Sequence, residues 1–133
     1  MERKIYHHPD RDLNFETGAY TDAVQIGDFI YVSGQAAVDF KKSAFVLGSV
    51  EDETVRTMEN ILLILGQAGA TASNIIKATV HLADISDFDR FNNVYAQFFN
   101  DLKPARTTVQ SVLAAGIKIE IDCVAWIAPK KDE

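Results

Sequence analysis

Apolar and polar residues alternate most regularly near the C-terminal end of the chain. Ile117, Ile119, Ile121, Cys123, Ala125 and Ile127 recur with a period of two, which places them on one face of a strand over 117–128. Residues 76–83 alternate around Ala78, Val80 and Leu82, and 107–113 is rich in β-branched residues, so both segments read as strands. Segments 23–26 and 29–33 flank Gly27-Asp28, the pattern of a hairpin with a two-residue, Gly-led turn. The period lengthens to that of a helix twice. Val55, Met58, Leu62 and Leu65 follow an acidic first turn, Glu51-Asp52-Glu53, and Gly69 supplies a stop. Phe88, Phe91, Tyr95 and Phe98 form the stripe of a second helix, capped by Ser86 or Asp87. The order β-β-α-β-α-β-β predicts an α+β sandwich of one sheet and two helices.

The other face of the last strand reads Lys118, Glu120, Asp122, Val124, Trp126, charged at one end and apolar at the other. Two helices cover only one side of such a sheet, and large apolar patches rarely stay in water. Val124 and Trp126 therefore point to burial against another subunit. Residues 1–17 are polar and irregular and read as an N-terminal arm, with structure starting at Gly18. Residues 18–129 form a single domain, and 130–133 a charged C-terminal tail.

Composition narrows the function classes. The chain has 133 residues, 47% of them hydrophobic, which is ordinary for one globular domain. Thirteen basic against 19 acidic side chains leave a net charge of −6, which disfavours tracking a phosphate backbone. The longest apolar run, at 61–65, is far short of a membrane span, and the N-terminus lacks the apolar region of a secretory signal. A single cysteine, Cys123, forms no internal disulfide and fits a reducing compartment, with the cytoplasm as the expected location.

Few residues suggest chemistry on spacing alone. Arg106 follows Pro104-Ala105 and leads into a strand, where a guanidinium can grip a carboxylate with two parallel bonds. Glu120, on the outer face of the last strand, can act as general acid or base if an interface half-buries it. On spacing alone, a surface arginine and a solvated carboxylate are the favoured readings of the same positions. Tyr20 and Ser33 bracket the hairpin and Asn92 lies in the second helix, each able to orient a polar ligand. Gly34 marks unusual dihedrals or a close approach. His7-His8 is an adjacent pair in the arm, His81 stands alone on a strand, and no metal-ligand spacing is present. Cys123 shares a face with the isoleucines and reads as a core thiol.

Five segments occur in order: Gly18-Ala19-Tyr20-Thr21-Asp22-Ala23-Val24, Tyr31-Val32-Ser33-Gly34-Gln35, Asn92-Asn93-Val94-Tyr95-Ala96-Gln97-Phe98-Phe99, Pro104-Ala105-Arg106-Thr107-Thr108-Val109 and Lys118-Ile119-Glu120-Ile121-Asp122-Cys123-Val124-Ala125. Together they resemble the RidA (reactive intermediate deaminase, YjgF-type) family over about residues 18–128. The resemblance implies a chorismate-mutase-like α+β sandwich with one mixed sheet, two helices on one face, and a homotrimer with clefts between subunits. It implies a hydrolase acting on C=N bonds, which converts enamines and imines such as 2-aminoacrylate and 2-iminopropanoate to 2-keto acids and ammonia. Neither a metal nor an organic cofactor is expected.

Carried onto this chain, the resemblance makes Arg106 the anchor for the substrate carboxylate and Glu120 the residue that positions or activates water. Tyr20 joins them in the catalytic set, while Ser33, Asn92 and Thr108 line the cleft. Two departures stand out. Thr21-Asp22 replaces a common Ser-Gln pair, and Thr108 replaces a frequent cysteine, leaving a backbone N–H and a hydroxyl but no thiol. Asp22, if turned inward, would weaken carboxylate binding. Rival readings are a deaminase for larger unsaturated 2-amino acids, a trimeric carboxylate-binding or protein-interaction module without turnover, and a ribonuclease, which the acidic balance disfavours.

Overall fold

Strands β2 (Ala23–Ile26) and β3 (Phe29–Gln35) pair antiparallel with Ile26 opposite Phe29, so the loop holds two residues. Of these only Gly27 is left-handed, at φ +57°, as the first position of a II′ turn requires. The computed structural model describes residues 2–14 and 18–129; the tail at 130–133 lies outside the described residues, as do positions 1 and 15–17. The remaining strands are β1 (Arg3–Tyr6), β4 (Val38–Asp39), β5 (Ala44–Phe45), β6 (Ile75–Leu82), β7 (Ala105–Gln110) and β8 (Ile119–Trp126). Six of them form one sheet in the order β1-β2-β3-β8-β6-β7, while β4 and β5 make a small separate ribbon. The β6–β7 pair is parallel and the other pairs are antiparallel, so the sheet is mixed.

Helix α1 (Val50–Gly66) starts where Ser49 Oγ accepts the Asp52 N–H at 3.0 Å, ahead of its acidic first turn. Glu53 is buried there and takes the backbone N–H groups of Gly48 and Lys118, which ties the helix to the start of β8. The buried stripe of α1 runs through Val50, Thr54, Thr57, Met58, Ile61, Ile64 and Leu65. Met58 and Leu65 lie where the periodicity puts them, but Val55 is exposed and Leu62 half-buried. Two threonines on the core face, one bonding Val50 O through its hydroxyl, disguise that face in the pattern. Helix α2 (Phe88–Tyr95) buries Phe91 and Tyr95 and packs Phe88 partly against the core, while Phe98 does so from the 3-10 turn that follows, outside the helix. Asp87 holds its N-cap position without a side-chain bond, and Asp84 instead accepts the Ser86 N–H one turn earlier.

Both helices lie on one face of the sheet, where Ile30, Val80, Ile119, Ile121 and Ala125 meet Met58, Ile61, Ile64 and Phe91. Cys123 belongs to this core, and burial pushes its thiol up to about 12, so it is an inert hydrophobe. On the opposite face Phe29 stands across from Trp126 and Tyr31 across from Val124, with Phe29, Tyr31 and Trp126 exposed.

Structure does not begin at Gly18. Strand β1 pairs with β2 as a sheet edge, from Arg3 opposite Ile26 to Tyr6 opposite Ala23. Its residues show no apolar alternation because all four are exposed or half-buried. The segment after β1 is tied to the domain. His8 is buried and stacks on Phe40 with ring centroids 4.0 Å apart. Its Nδ1 accepts the Asp10 N–H at 3.1 Å, which assigns the proton to Nε2 and lets that atom donate to Asn60 Oδ1 at 3.1 Å. Arg11 donates from Nε and Nη2 to the two oxygens of Asp22, each at 2.6 Å, and Asp22 is fully buried.

Burial alone would push the Asp22 carboxyl up; the bonds from Arg11 and the His8 N–H outweigh it and hold the group below its ordinary range. Arg11→Ala is expected to destabilise the fold by about 3–5 kcal/mol in chemical denaturation, because a buried carboxylate loses its partner. The exposed Arg90–Glu51 pair serves as the control, with Arg90→Ala leaving the denaturation midpoint nearly unchanged. Burial also lowers the pKa of His8 from 6.5, against the opposing influence of Asn60, Asp10 and Asp22. A lowered native pKa means that the unfolded chain takes the proton first, so stability should fall as pH drops below 6.5 toward the native value. Denaturation at a series of pH values should show this loss in the wild type and a flatter profile in His8→Asn.

Candidate active site

Glu120 sits on the open face of β8 between two core residues, Ile119 and Ile121. Its carboxylate lies directly on the backbone of Gly34, where an added Cβ would stand 2.7 Å from Oε2 and 2.9 Å from Cδ. Gly34 therefore serves a close approach, and its φ is not left-handed. The β3–β8 register shifts between Val32 and Gln35, which frees Ser33 and Gly34 from the regular ladder. Ser33 N–H donates to Asp22 O at 2.9 Å and its hydroxyl to Thr21 O at 2.5 Å, so Ser33 fastens the segment that carries Tyr20. Glu120, Tyr20 and Gly34 line a cavity of about 390 Å³ that Arg11, Phe40 and Phe45 also wall. Ser33 is behind this cavity rather than in its lining.

Arg106 belongs to a different place. It stands opposite Ala78 in the parallel β6–β7 pair, and Thr108 opposite Val80, so both share the helix-covered face. The Arg106 guanidinium carbon is 5.4, 5.4 and 5.0 Å from the ring centroids of Phe88, Phe91 and Tyr95. Nη1 donates to Asn92 Oδ1 at 2.8 Å. Burial pushes the Tyr95 phenol up to about 12 despite the pull of Arg106, so that shelf stays neutral. Asn92, Tyr95, Lys103 and Arg106 line a second cavity of about 350 Å³. The Thr108 hydroxyl oxygen is buried with no hydrogen-bond partner among the described residues.

One chain thus brings the sequence-derived residues into two groups: Arg106 and Asn92 with Thr108 nearby, and Glu120 and Tyr20 with Ser33 behind. Arg106 and Glu120 line different cavities on opposite faces of the sheet. Asp22 does not face a bound anion, since Arg11 encloses it. Arg11, Phe40 and Phe45 escaped the sequence reading, because the chain pattern shows neither the burial of Asp22 nor the wall of this cavity.

His81 is not alone either. Its Nδ1 is 2.9 Å from Ser111 Oγ and its Nε2 3.6 Å from Asp122 Oδ2. That carboxylate is beyond hydrogen-bond range and does not orient the ring, so the trio lacks the geometry of a hydrolytic triad. Among the described residues, no group of three or more His, Cys, Asp or Glu side chains is arranged to hold a metal ion. No helix among them is long and apolar enough to cross a membrane.

Comparison with known proteins places this geometry. The family model for endoribonuclease L-PSP matches residues 14–127. A RutC family protein of Pyrococcus abyssi is 39% identical over 110 residues, which is 82% of this chain and 87% of its own. The Homo sapiens 2-iminobutanoate/2-iminopropanoate deaminase is 40% identical over 113 residues, covering 84% of this chain and 82% of that protein. In structure, RidA from the Antarctic bacterium Psychrobacter superposes with a TM-score of 0.84 at 30% identity, over 93% of this chain and 100% of that one. Strands β2 to β8, the helix pair and the linear motifs lie within the matched span, while β1 precedes it, and on that basis the chain belongs to the endoribonuclease L-PSP family, which includes RidA and the imine deaminases.

Proposed function

We propose that the protein hydrolyses reactive 2-imino acids and their enamine tautomers to 2-keto acids and ammonia. It does so as a homotrimer in which Arg106 of one copy meets Glu120 and Tyr20 of the next. Arg106 carries this reading. Its guanidinium is shelved on three aromatic rings, and among the described residues Asn92 takes only Nη1, which leaves the Nε and Nη2 edge to a carboxylate in a two-bond grip. The assembly is supported by the separation of the two cavities and by the exposed Phe29, Tyr31 and Trp126 on the open sheet face. Relatives at about 40% identity carry deaminase names. The buried, unpaired Cys123 fits a reducing compartment, and we place the protein in the cytoplasm.

The chemistry asks little of the protein. An enamine first takes a proton at carbon 3 and gives one up from nitrogen, which makes it the imine. With its carboxylate held by Arg106, the imine carbon is fixed for attack. Glu120 accepts a proton from water as the water oxygen bonds to that carbon, the C=N electron pair moves to nitrogen, and Glu120 hands the proton on to that nitrogen, which regenerates the carboxylate. The resulting carbinolamine transfers its hydroxyl proton to nitrogen, the C–N bond breaks, and ammonia leaves with the bonding pair as the C=O bond forms. Tyr20 supplies a hydroxyl at the rim of the Glu120 cavity, and Thr108 a hydroxyl on the Arg106 face of the sheet.

The test is to generate 2-aminoacrylate in place with a lyase and follow keto-acid release. Wild-type protein is expected to accelerate release. Arg106→Ala should lose about a hundredfold or more in kcat/KM, and Glu120→Gln about 10²–10⁴-fold in kcat. No acceleration by the wild type, or full activity in Arg106→Ala, contradicts the reading. Thermal stabilisation by a small carboxylate without keto-acid release would identify a binding module instead.

A further inference from the structure

We infer that this cleft prefers 2-imino acids with a bulky apolar or aromatic side chain over the three-carbon 2-iminopropanoate; the inference rests on the deaminase reading above. The Glu120 cavity does not end at the carboxylate. From Gly34 it runs along the end of β3, past Ala36, to the small ribbon of β4 and β5. In the single chain its volume of about 390 Å³ matches roughly a dozen waters at ~30 Å³ each, whereas 2-iminopropanoate has only about six heavy atoms. A substrate held at one end by its carboxylate and imine carbon leaves the far end unfilled unless its side chain reaches there.

The far wall specifies what that side chain should be. Val38, Phe40 and Phe45 present apolar surface, and Phe45 is 45% exposed in the single chain. Covering such a ring from water is worth enough to show in kcat/KM. The charged groups at this end argue against a second carboxylate on the substrate. Arg11 has given Nε and Nη2 to Asp22, and its guanidinium carbon lies 4.8 Å from the Phe40 ring centroid. Asp12 lines the same cavity and would repel an anion. The side chain that fits is uncharged, apolar and at least as long as that of leucine or phenylalanine.

A D-amino-acid oxidase with catalase, acting on D-phenylalanine, D-leucine or D-alanine, supplies the three imines in place for a comparison of keto-acid release. For the phenylalanine-derived imine, kcat/KM should exceed that for the alanine-derived imine by about ten- to a hundredfold. Phe45→Ala should lower this ratio about tenfold, and Phe45→Leu should keep most of it. Equal or greater efficiency with the alanine-derived imine, or a ratio unmoved by Phe45→Ala, overturns the inference and leaves the deaminase reading standing. No acceleration with any imine overturns the deaminase reading and the inference with it.

Discussion

Strand β8 is hydrogen-bonded on both sides, to β3 and to β6, so its side chains have only two directions available. Ile119, Ile121, Cys123 and Ala125 take the helix-covered side and are buried to 3% exposure or less. Glu120 is thereby committed to the open side. A slip of one residue would exchange the two sets, driving a carboxylate into the core and isoleucines into water, so the register is strongly specified. The same alternation, carried across β6 to β7, sends Arg106 to the helix side. Both chemical groups thus depend on the parity of strands whose other residues build the core.

Each half of the proposed site has its own physical support. Glu120 occupies the space a side chain at position 34 would fill, so the site draws on a missing Cβ as much as on the acid. Arg106 is placed by three aromatic rings that are also part of, or packed against, the core beneath α2. Around the Glu120 half, the buried Arg11–Asp22 pair holds the N-terminal segment beside Tyr20 and saturates a cation that would otherwise attract a second anion. A charge pair of this kind adds little net stability over an apolar replacement, but it is costly to break from one side. It therefore sets the form of the cavity more than the free energy of the fold.

Elements with a strong one-sided pattern were legible from the chain. The β2–β3 hairpin, the alternation of β6 and β8, and the aromatic stripe of α2 each bury one face, and the period survives in the residues. Strand β1 was not legible because it pairs at an edge with no apolar face. The stripe of α1 shifted because Thr54 and Thr57 are buried while Val55 is exposed, reversing the usual hydrophobic weighting at three positions. In the candidate site, Arg106, Asn92 and Glu120 were singled out through motifs. Arg11 and Phe45 were not, since their roles arise from contacts with Asp22 and from a cavity wall that no local spacing encodes.

The central claim is that a working site takes Arg106 from one copy and Glu120 from another. Subunit complementation tests it most directly. Arg106→Ala and Glu120→Gln proteins, each inactive alone, are unfolded together, refolded at equal concentrations and assayed, with mixed assemblies verified by native mass spectrometry. The account predicts recovery of roughly a quarter of wild-type activity, the statistical share of clefts that receive both intact residues in a cyclic assembly. Mixed assemblies with no recovered activity would contradict it.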